Sequence, residues 1–103
     1  MEKRRPSYPL TLLKAAFADP ATLNLTATAM LGARALGMGN AEIVAMIQAL
    51  ASTDFDKSMT CWADHRVWQD VYRPAWRGKR LYVKFTKDEI GRLLLISLKE
   101  QSE

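Results

Sequence analysis

The sequence predicts an α+β domain, with helices of the first half packed on an antiparallel sheet formed by the second half. Two observations indicate this class. Apolar residues recur at helical spacing before residue 51, and strand-like stretches separated by turn residues follow residue 66. The length of 103 residues, with 49% hydrophobic and 25% charged side chains, is typical of one globular domain, here residues 1–103.

Three helices are expected in the first half. The first lies in YPLTLLKAAFADP and ends before Pro20, because proline cannot continue a helix. A short leucine alternation then indicates an extended lead-in, after which Thr26 or Thr28 caps a helix that ends at Gly37. Asn40 is expected to cap the third helix. Its apolar stripe comprises Ile43, Met46, Ile47 and Leu50.

Three strands are expected in the second half, at residues 67–73, 80–86 and 93–99. The separators PAWRGK and KDEIG are short enough for hairpins, so the strands should form an antiparallel meander. The preceding stretch STDFDKSMTCW shows no clean alternation and is interpreted as a transition segment.

Side-chain alternation assigns the strand residues to the two sheet faces. In RLYVKFT, three apolar residues point to one face, which should pack on the helices. Tyr82 then lies on the opposite face, called the open face below, and a turn near residues 89–91 places it across from Lys99. In LLLISLK, the core set is expected to be Leu94, Ile96 and Leu98.

Alternation in VWQDVYR does not show which side chains face the core, because neither alternating set is wholly apolar. If Trp68 and Tyr72 anchor the core, then Gln69 and Arg73 reach the open face. An amide and a guanidinium placed there can contact base edges and phosphate.

The charge distribution favours an anionic partner. The net charge is +4, and residues 73–87 contain six cations and no acid. Nucleic acid or an acidic protein would suit such a surface. The alternative is a solvated sheet edge that discourages aggregation. The residues expected to contact nucleic acid are Arg73, Trp76, Arg77, Lys79, Arg80 and Lys84.

Some kinds of chemistry are excluded by composition. One cysteine, Cys61, rules out an internal disulfide, and with the single His65 it is too little for a Cys/His zinc site. We therefore expect no metal site and no cofactor. There is no apolar run of about 20 residues and no signal-peptide pattern, so a cytoplasmic protein without a membrane partner is expected.

Several stretches occur together in an order that resembles a known family: MEKRRP, DFDKSMT, DH, WQDVYRP, LYVK and SLKE. They are similar to the motility quorum-sensing regulator (MqsR-like) toxins of bacterial toxin–antitoxin pairs. The resemblance is most specific over residues 54–74 and extends over nearly the whole chain.

The resemblance implies a RelE-like fold and a metal-independent messenger-RNA interferase that cuts single-stranded mRNA, with a preference for GCU-type sites. It implies inhibition of translation and growth, and a cognate antitoxin that is a zinc-containing DNA-binding protein. It also implies four active-site residues: Lys57, Gln69, Tyr82 and Lys99.

The expected reaction is attack by the 2′-hydroxyl of the RNA on the adjacent phosphate. Lysines and Arg73 would supply positive charge, Tyr82 would donate a proton, and Gln69 would orient the substrate. A lysine can act as base only if crowding by other cations lowers its pKa. His65 is the alternative base, although a structural role beside Asp64 is favoured.

Two other functions stay open from sequence alone. A non-catalytic module that binds RNA or a protein partner would need the same basic face. A transcriptional regulator is less well supported, because no helix-turn-helix pattern is present and the basic run falls on strands and turns.

Overall fold

A computed structural model describes residues 1–101, in which three helices pack on a six-stranded antiparallel sheet. The helices are α1 (Leu10–Ala16), α2 (Ala27–Ala35) and α3 (Asn40–Gln48), and a 3₁₀ turn (Ser52–Asp54) follows them. The strands are β1 (Glu2–Lys3), β2 (Phe55–Thr60), β3 (Trp68–Tyr72), β4 (Ala75–Trp76), β5 (Lys79–Lys87) and β6 (Leu93–Glu100). The α+β class is confirmed, and the three predicted strands agree with β3, β5 and β6 to within one residue at each end. None of the helices within residues 1–101 is long and apolar enough to cross a lipid bilayer.

Strand β5 organises the sheet. Strand β6 pairs with one edge of β5. Strands β3 and β4 both pair with its other edge, β3 with residues 83–85 and β4 with residues 79–80. Beyond β3 the sheet continues through β2 to the short β1. All these pairings are antiparallel, so residues that are directly opposite share a face.

The helices cover one face of the sheet, as predicted. Leu81, Val83 and Phe85 of β5 are completely buried there. Phe85 is also part of an aromatic group, with ring centroids 5.5 Å from Phe17 and 5.9 Å from Tyr72. Tyr72 is 1% exposed, which confirms that β3 turns this side chain toward the core.

The helix caps agree with the sequence in one case and differ in another. Thr26 caps α2, and its hydroxyl accepts a hydrogen bond from the Ala29 amide at 3.1 Å. Helix α3 begins one residue earlier than expected, because Gly39 is the cap and its amide donates to the Glu42 carboxylate at 2.8 Å. The side chain of Asn40 instead accepts a hydrogen bond from the Arg34 guanidinium.

Strand β2 was not predicted, because STDFDKSMTCW was interpreted as a transition segment. Its helix-side neighbour is not an apolar helix but the extended N-terminal segment, so this strand needs no apolar alternation. The Ser7 hydroxyl lies 2.8 Å from the Ser58 hydroxyl, and the Ser7 and Tyr8 amides donate to the buried Asp70 carboxylate at 3.0 and 2.9 Å. Polar contacts therefore hold this end of the sheet together.

A β-bulge in β6 overturns part of the predicted core. Lys84 is opposite Ser97, but Phe85 is opposite Leu95, so Ile96 is an extra residue in the ladder. The buried residues of β6 are therefore Leu95 and Leu98, whereas Leu94 and Ile96 are only partly buried. Strict alternation was wrong here because a bulge changes the face of every residue on one side of it.

The outer edge of β6 is covered by the start of α2 and its lead-in. Leu25 forms a parallel bridge with Leu95, and the Thr26 amide donates to the Leu95 carbonyl at 3.0 Å. Further along, Gly32 of α2 touches the β6 backbone so closely that a Cβ there would clash with the Leu98 carbonyl. The absence of a side chain lets the helix seal this sheet edge.

Candidate active site

The open face of the sheet carries a row of directly opposed residues across four strands. Lys57 of β2 is opposite Val71 of β3, Val71 is opposite Lys84 of β5, and Lys84 is opposite Ser97 of β6. Val71 is completely buried and lies outside the helix-side core cluster. Its valine side chain therefore forms an apolar floor with a lysine on each side.

Tyr82 and Lys99 lie directly opposite one another, which confirms the register predicted from the hairpin. The Lys99 ammonium is 5.5 Å from the centroid of the Tyr82 ring, and the Lys84 ammonium is 5.6 Å from it. These three side chains line a shallow depression of about 300 Å³ with Ser97 and Gln101. The phenol is thus flanked by two cations in a recess open to solvent.

Lys57 and Gln69 share the open face but lie further from that depression. Gln69 is opposite Met59, two residues along β3 from Val71, and is partly buried. Lys57 is separated from β5 by β3 and lies 3.9 Å from the Glu2 carboxylate. The fold therefore brings all four predicted residues to one face, but only Tyr82 and Lys99 into direct opposition.

The surroundings of Tyr82 raise the pKa of its phenol. The pKa of Tyr82 is raised first by burial and second by the negative charge of Asp56. Both effects act in the same direction as the ordinary tyrosine pKa, which already keeps the phenol a neutral O–H donor at physiological pH. Asp56 was not singled out from the sequence, because it lies next to an irregularity between Phe55 and Lys57 that alternation cannot anticipate.

Lys84 is affected in the opposite direction. Its pKa is lowered first by burial and next by the positive charge of Lys99, while Cys61 acts against this and Lys57 adds to it. Within residues 1–101, no carboxylate lies within 4 Å of the Lys84 or Lys99 ammonium group. The depression thus holds positive charge that is not neutralised by a neighbouring ion pair.

Arg73 and Arg80 form a second basic group beside the depression. Arg73 donates to the Gln101 side chain and lies 3.9 Å from the Asp56 carboxylate. Arg80 donates to the Arg73 carbonyl at 2.8 Å. Both arginines line a neighbouring depression of about 300 Å³. The two depressions are adjacent, because Gln101 lines the Tyr82 depression and accepts the Arg73 hydrogen bond.

The other predicted RNA contacts lie on the hairpin between β4 and β5. Trp76 is opposite Lys79, on the side of the sheet where Leu81 packs against the helices, and Trp76 contacts the core cluster. Arg77 occupies the turn with φ of 48° and its guanidinium lies 5.3 Å from the Trp76 ring. The fold does not bring these three residues to the Tyr82 depression.

The loop between β2 and β3 holds the alternative base. His65 is exposed, and Asp64 does not pair with it as expected: its carboxylate accepts from the Arg66 side chain at 3.1 Å and from the Arg66 amide at 2.9 Å. Trp62 in the same loop is 96% exposed. In the part of the chain that the structure describes, no group of three or more His, Cys, Asp or Glu side chains is arranged to hold a metal ion.

Comparison with known proteins identifies the family of this chain. A family model described as motility quorum-sensing regulator, toxin of MqsA, matches residues 5–100. The chain is also 38% identical over 101 residues to the mRNA interferase toxin MqsR of Escherichia coli (strain K12), and the match covers 98% of this chain and 100% of that protein. The chain therefore belongs to the motility quorum-sensing regulator family of toxins.

Proposed function

We propose that this protein is the toxin of a type II toxin–antitoxin pair and that it acts as an mRNA interferase, an endoribonuclease that cleaves single-stranded mRNA. Membership of the toxin family supports the class, as does the name of the relative, mRNA interferase toxin MqsR. The observation that carries the assignment to this face is the opposition of Tyr82 and Lys99, with the Lys84 ammonium also 5.6 Å from the centroid of the phenol ring.

The reaction we propose forms a bond between the 2′-oxygen and the adjacent phosphorus and breaks the bond from phosphorus to the 5′-oxygen. The products are a 2′,3′-cyclic phosphate and a 5′-hydroxyl end. Lys99 stabilises the charge that builds up on the phosphate oxygens, since fixed charge in a partly desolvated site is a large contribution to catalysis. Tyr82 carries its proton at neutral pH, as a tyrosine ordinarily does, and it donates that proton to the leaving 5′-oxygen.

Lys57 and Gln69 are proposed to act on the flanking part of the substrate. They lie toward β2, on the same face but away from the Tyr82 depression. Lys57 would bind a neighbouring phosphate and Gln69 a base edge or a sugar hydroxyl. Arg73 and Arg80 would hold the strand on the other flank, beside the second depression. Trp76, Arg77 and Lys79 would contact RNA only if the strand continues past the β4–β5 hairpin.

Two further properties are proposed from the family resemblance. The cleavage sites are GCU-type sequences, and the antitoxin is a zinc-containing DNA-binding protein. A family described as the toxin of MqsA implies an antitoxin partner in any case. The site of action is proposed to be the cytoplasm, where mRNA is translated.

The test is cleavage of a defined single-stranded RNA containing GCU and control triplets, in excess EDTA, with both fragment ends mapped. We expect cyclic-phosphate and 5′-hydroxyl ends in the wild type, and at least a 100-fold slower reaction for Tyr82→Phe and Lys99→Ala, as loss of a proton donor or of fixed charge costs about 10²–10³ in rate.

Lys87→Ala is the matched control, because Lys87 is on the same strand β5 but lies 5.8 Å from the Tyr8 ring on the opposite side of the sheet. It should cleave at the wild-type rate. RNA that is bound but left intact by the wild-type protein would contradict the interferase and favour the non-catalytic binding module.

A further inference from the structure

We propose that Lys84 is the general base of this site: its uncharged amine takes the proton from the attacking 2′-hydroxyl. This inference rests on the proposed function, and it assigns a catalytic role to a residue that the sequence indicates only as an RNA contact. It is carried by the position of Lys84 in the sheet and by its surroundings.

Lys84 occupies the centre of the open face. It lies between Val71 on one neighbouring strand and Ser97 on the other, with Lys57 beyond Val71. Because adjacent strands are about 4.8 Å apart, the backbones of Lys57 and Lys99 are about 14 Å apart or more, and β5 runs between them. A phosphate held over Tyr82 by Lys99 therefore has Lys84, rather than Lys57, as its nearest second amine.

The surroundings of Lys84 favour the neutral amine. Its side chain is partly buried beside the apolar floor made by Val71. The titratable and charged groups that face it are Lys57 and Cys61 from the β2 side, Tyr82 on its own strand and Lys99 on β6. No carboxylate within the described residues is close enough to hold its proton, whereas Lys57 has Glu2 at 3.9 Å. Burial and the two like charges lower the pKa of Lys84.

Lys84 and Tyr82 together account for both proton transfers of the reaction. The Lys84 amine takes the 2′-hydroxyl proton and becomes an ammonium, while Tyr82 gives its proton to the 5′-oxygen and becomes a phenolate. The Lys84 ammonium lies 5.6 Å from the Tyr82 ring centroid, on the same face. It can return the proton to the phenolate directly or through one water, which restores both groups without any further reactant.

The critical variant is Lys84→Arg, because arginine is about as long as lysine but does not give up its proton in a protein, so it cannot act as a base. If Lys84 is the base, this variant binds uncleaved RNA at least as tightly as the wild type and cleaves it at least 100-fold more slowly, because proton transfer contributes about 10²–10⁴-fold. The rise of the cleavage rate with pH should also disappear. If Lys84 only binds phosphate, Lys84→Arg cleaves at nearly the wild-type rate, which would overturn the proposal.

A substrate with sulfur in place of the 5′-oxygen separates base from acid. The thiolate leaves without a proton, so this substrate should restore cleavage by Tyr82→Phe but not by Lys84→Arg. Rescue of Lys84→Arg instead would assign the acid role to Lys84 and refute the base assignment.

The base assignment can also be tested on the wild-type protein, without any substitution. The Nζ of each lysine is titrated by NMR through its adjacent Cε resonance. Lys84 should lose its proton at a lower pH than an ordinary lysine side chain does, and titration of Lys84 at or above the ordinary lysine pKa of about 10.4 would overturn the proposal. Failure of the wild type to cleave any RNA would refute the proposed function itself, whereas normal cleavage by Lys84→Arg would refute only the role of Lys84.

Discussion

The buried carboxylate of Asp70 should be a main determinant of stability, although it lies on the side of β3 that faces away from the open face. It is completely buried, and its two oxygens accept hydrogen bonds from the Ser7 and Tyr8 amides. These contacts join the N-terminal segment to the middle of the sheet over more than 60 residues of chain. We consider the replacements Asp70→Ala and Asp70→Asn.

The magnitude follows from the two hydrogen bonds. A hydrogen bond to a charged group contributes about 1.5–3 kcal/mol, so the pair contributes about 3–6 kcal/mol. Ser7 and Tyr8 are only partly buried and regain water when the segment detaches. We therefore expect the free energy of unfolding to fall by about 3 kcal/mol in Asp70→Ala, at the lower end of that range. Asp70→Asn keeps one acceptor oxygen and should lose about half as much.

The assay is urea unfolding at neutral pH, followed by tryptophan fluorescence and by circular dichroism. With a slope of about 1.5 kcal/mol per molar urea, a loss of 3 kcal/mol lowers the midpoint by about 2 M. Hydrogen exchange at the Ser7 and Tyr8 amides should be faster in both variants. Glu89→Gln is the control, because Glu89 is exposed in the β5–β6 turn.

The reasoning would be refuted if Asp70→Ala unfolded within about 0.5 kcal/mol of the wild type, the range usual for surface substitutions. Activity gives a second check. Asp70 alternates with Gln69 and Val71, so its side chain points away from the proposed active face. The fraction of Asp70→Asn that remains folded should therefore cleave RNA at the wild-type rate.

Three further outcomes are expected. The pKa of Tyr72 is raised to about 12, mainly by burial and further by Asp70, whereas an unfolded tyrosine ionises near pH 10. The unfolded chain thus loses this proton first, stability should fall between pH 10 and 12, and urea unfolding of Tyr72→Phe should show a smaller fall over that range. The free energy of unfolding, measured with urea, should be about 0.5–1 kcal/mol higher for Arg77→Asn, because asparagine tolerates the positive φ of the Arg77–Gly78 turn better than arginine does. If the variant also binds RNA as tightly as the wild type, Arg77 is not an RNA contact. Finally, RNA binding by the inactive Tyr82→Phe should weaken with salt. The slope of log affinity against log salt should be about −2.8 for phosphate contacts of Lys57, Lys99, Arg73 and Arg80, and removing Lys99 should make it less steep by about 0.7.

The sequence by itself determined the features that depend on local periodicity. The helical spacing of apolar residues gave the three helices, and the alternation in β5 assigned Tyr82 to the open face. Because a short hairpin fixes its own register, the same reasoning placed Tyr82 opposite Lys99, as the structure confirms. These predictions succeed because each needs only residues that are close in sequence.

Only the tertiary structure decided the features that depend on distant pairing. Strand β2 has no apolar alternation, since its helix-side neighbour is the polar N-terminal segment bound to Asp70. The bulge at Ile96 changed which leucines are buried, because one extra residue reverses the alternation. The central position of Lys84 follows from β3 joining β2 to β5, a non-local pairing that no spacing in the sequence specifies. The sequence showed a lysine on a basic face, and the sheet order placed it between two other lysines and beside the phenol.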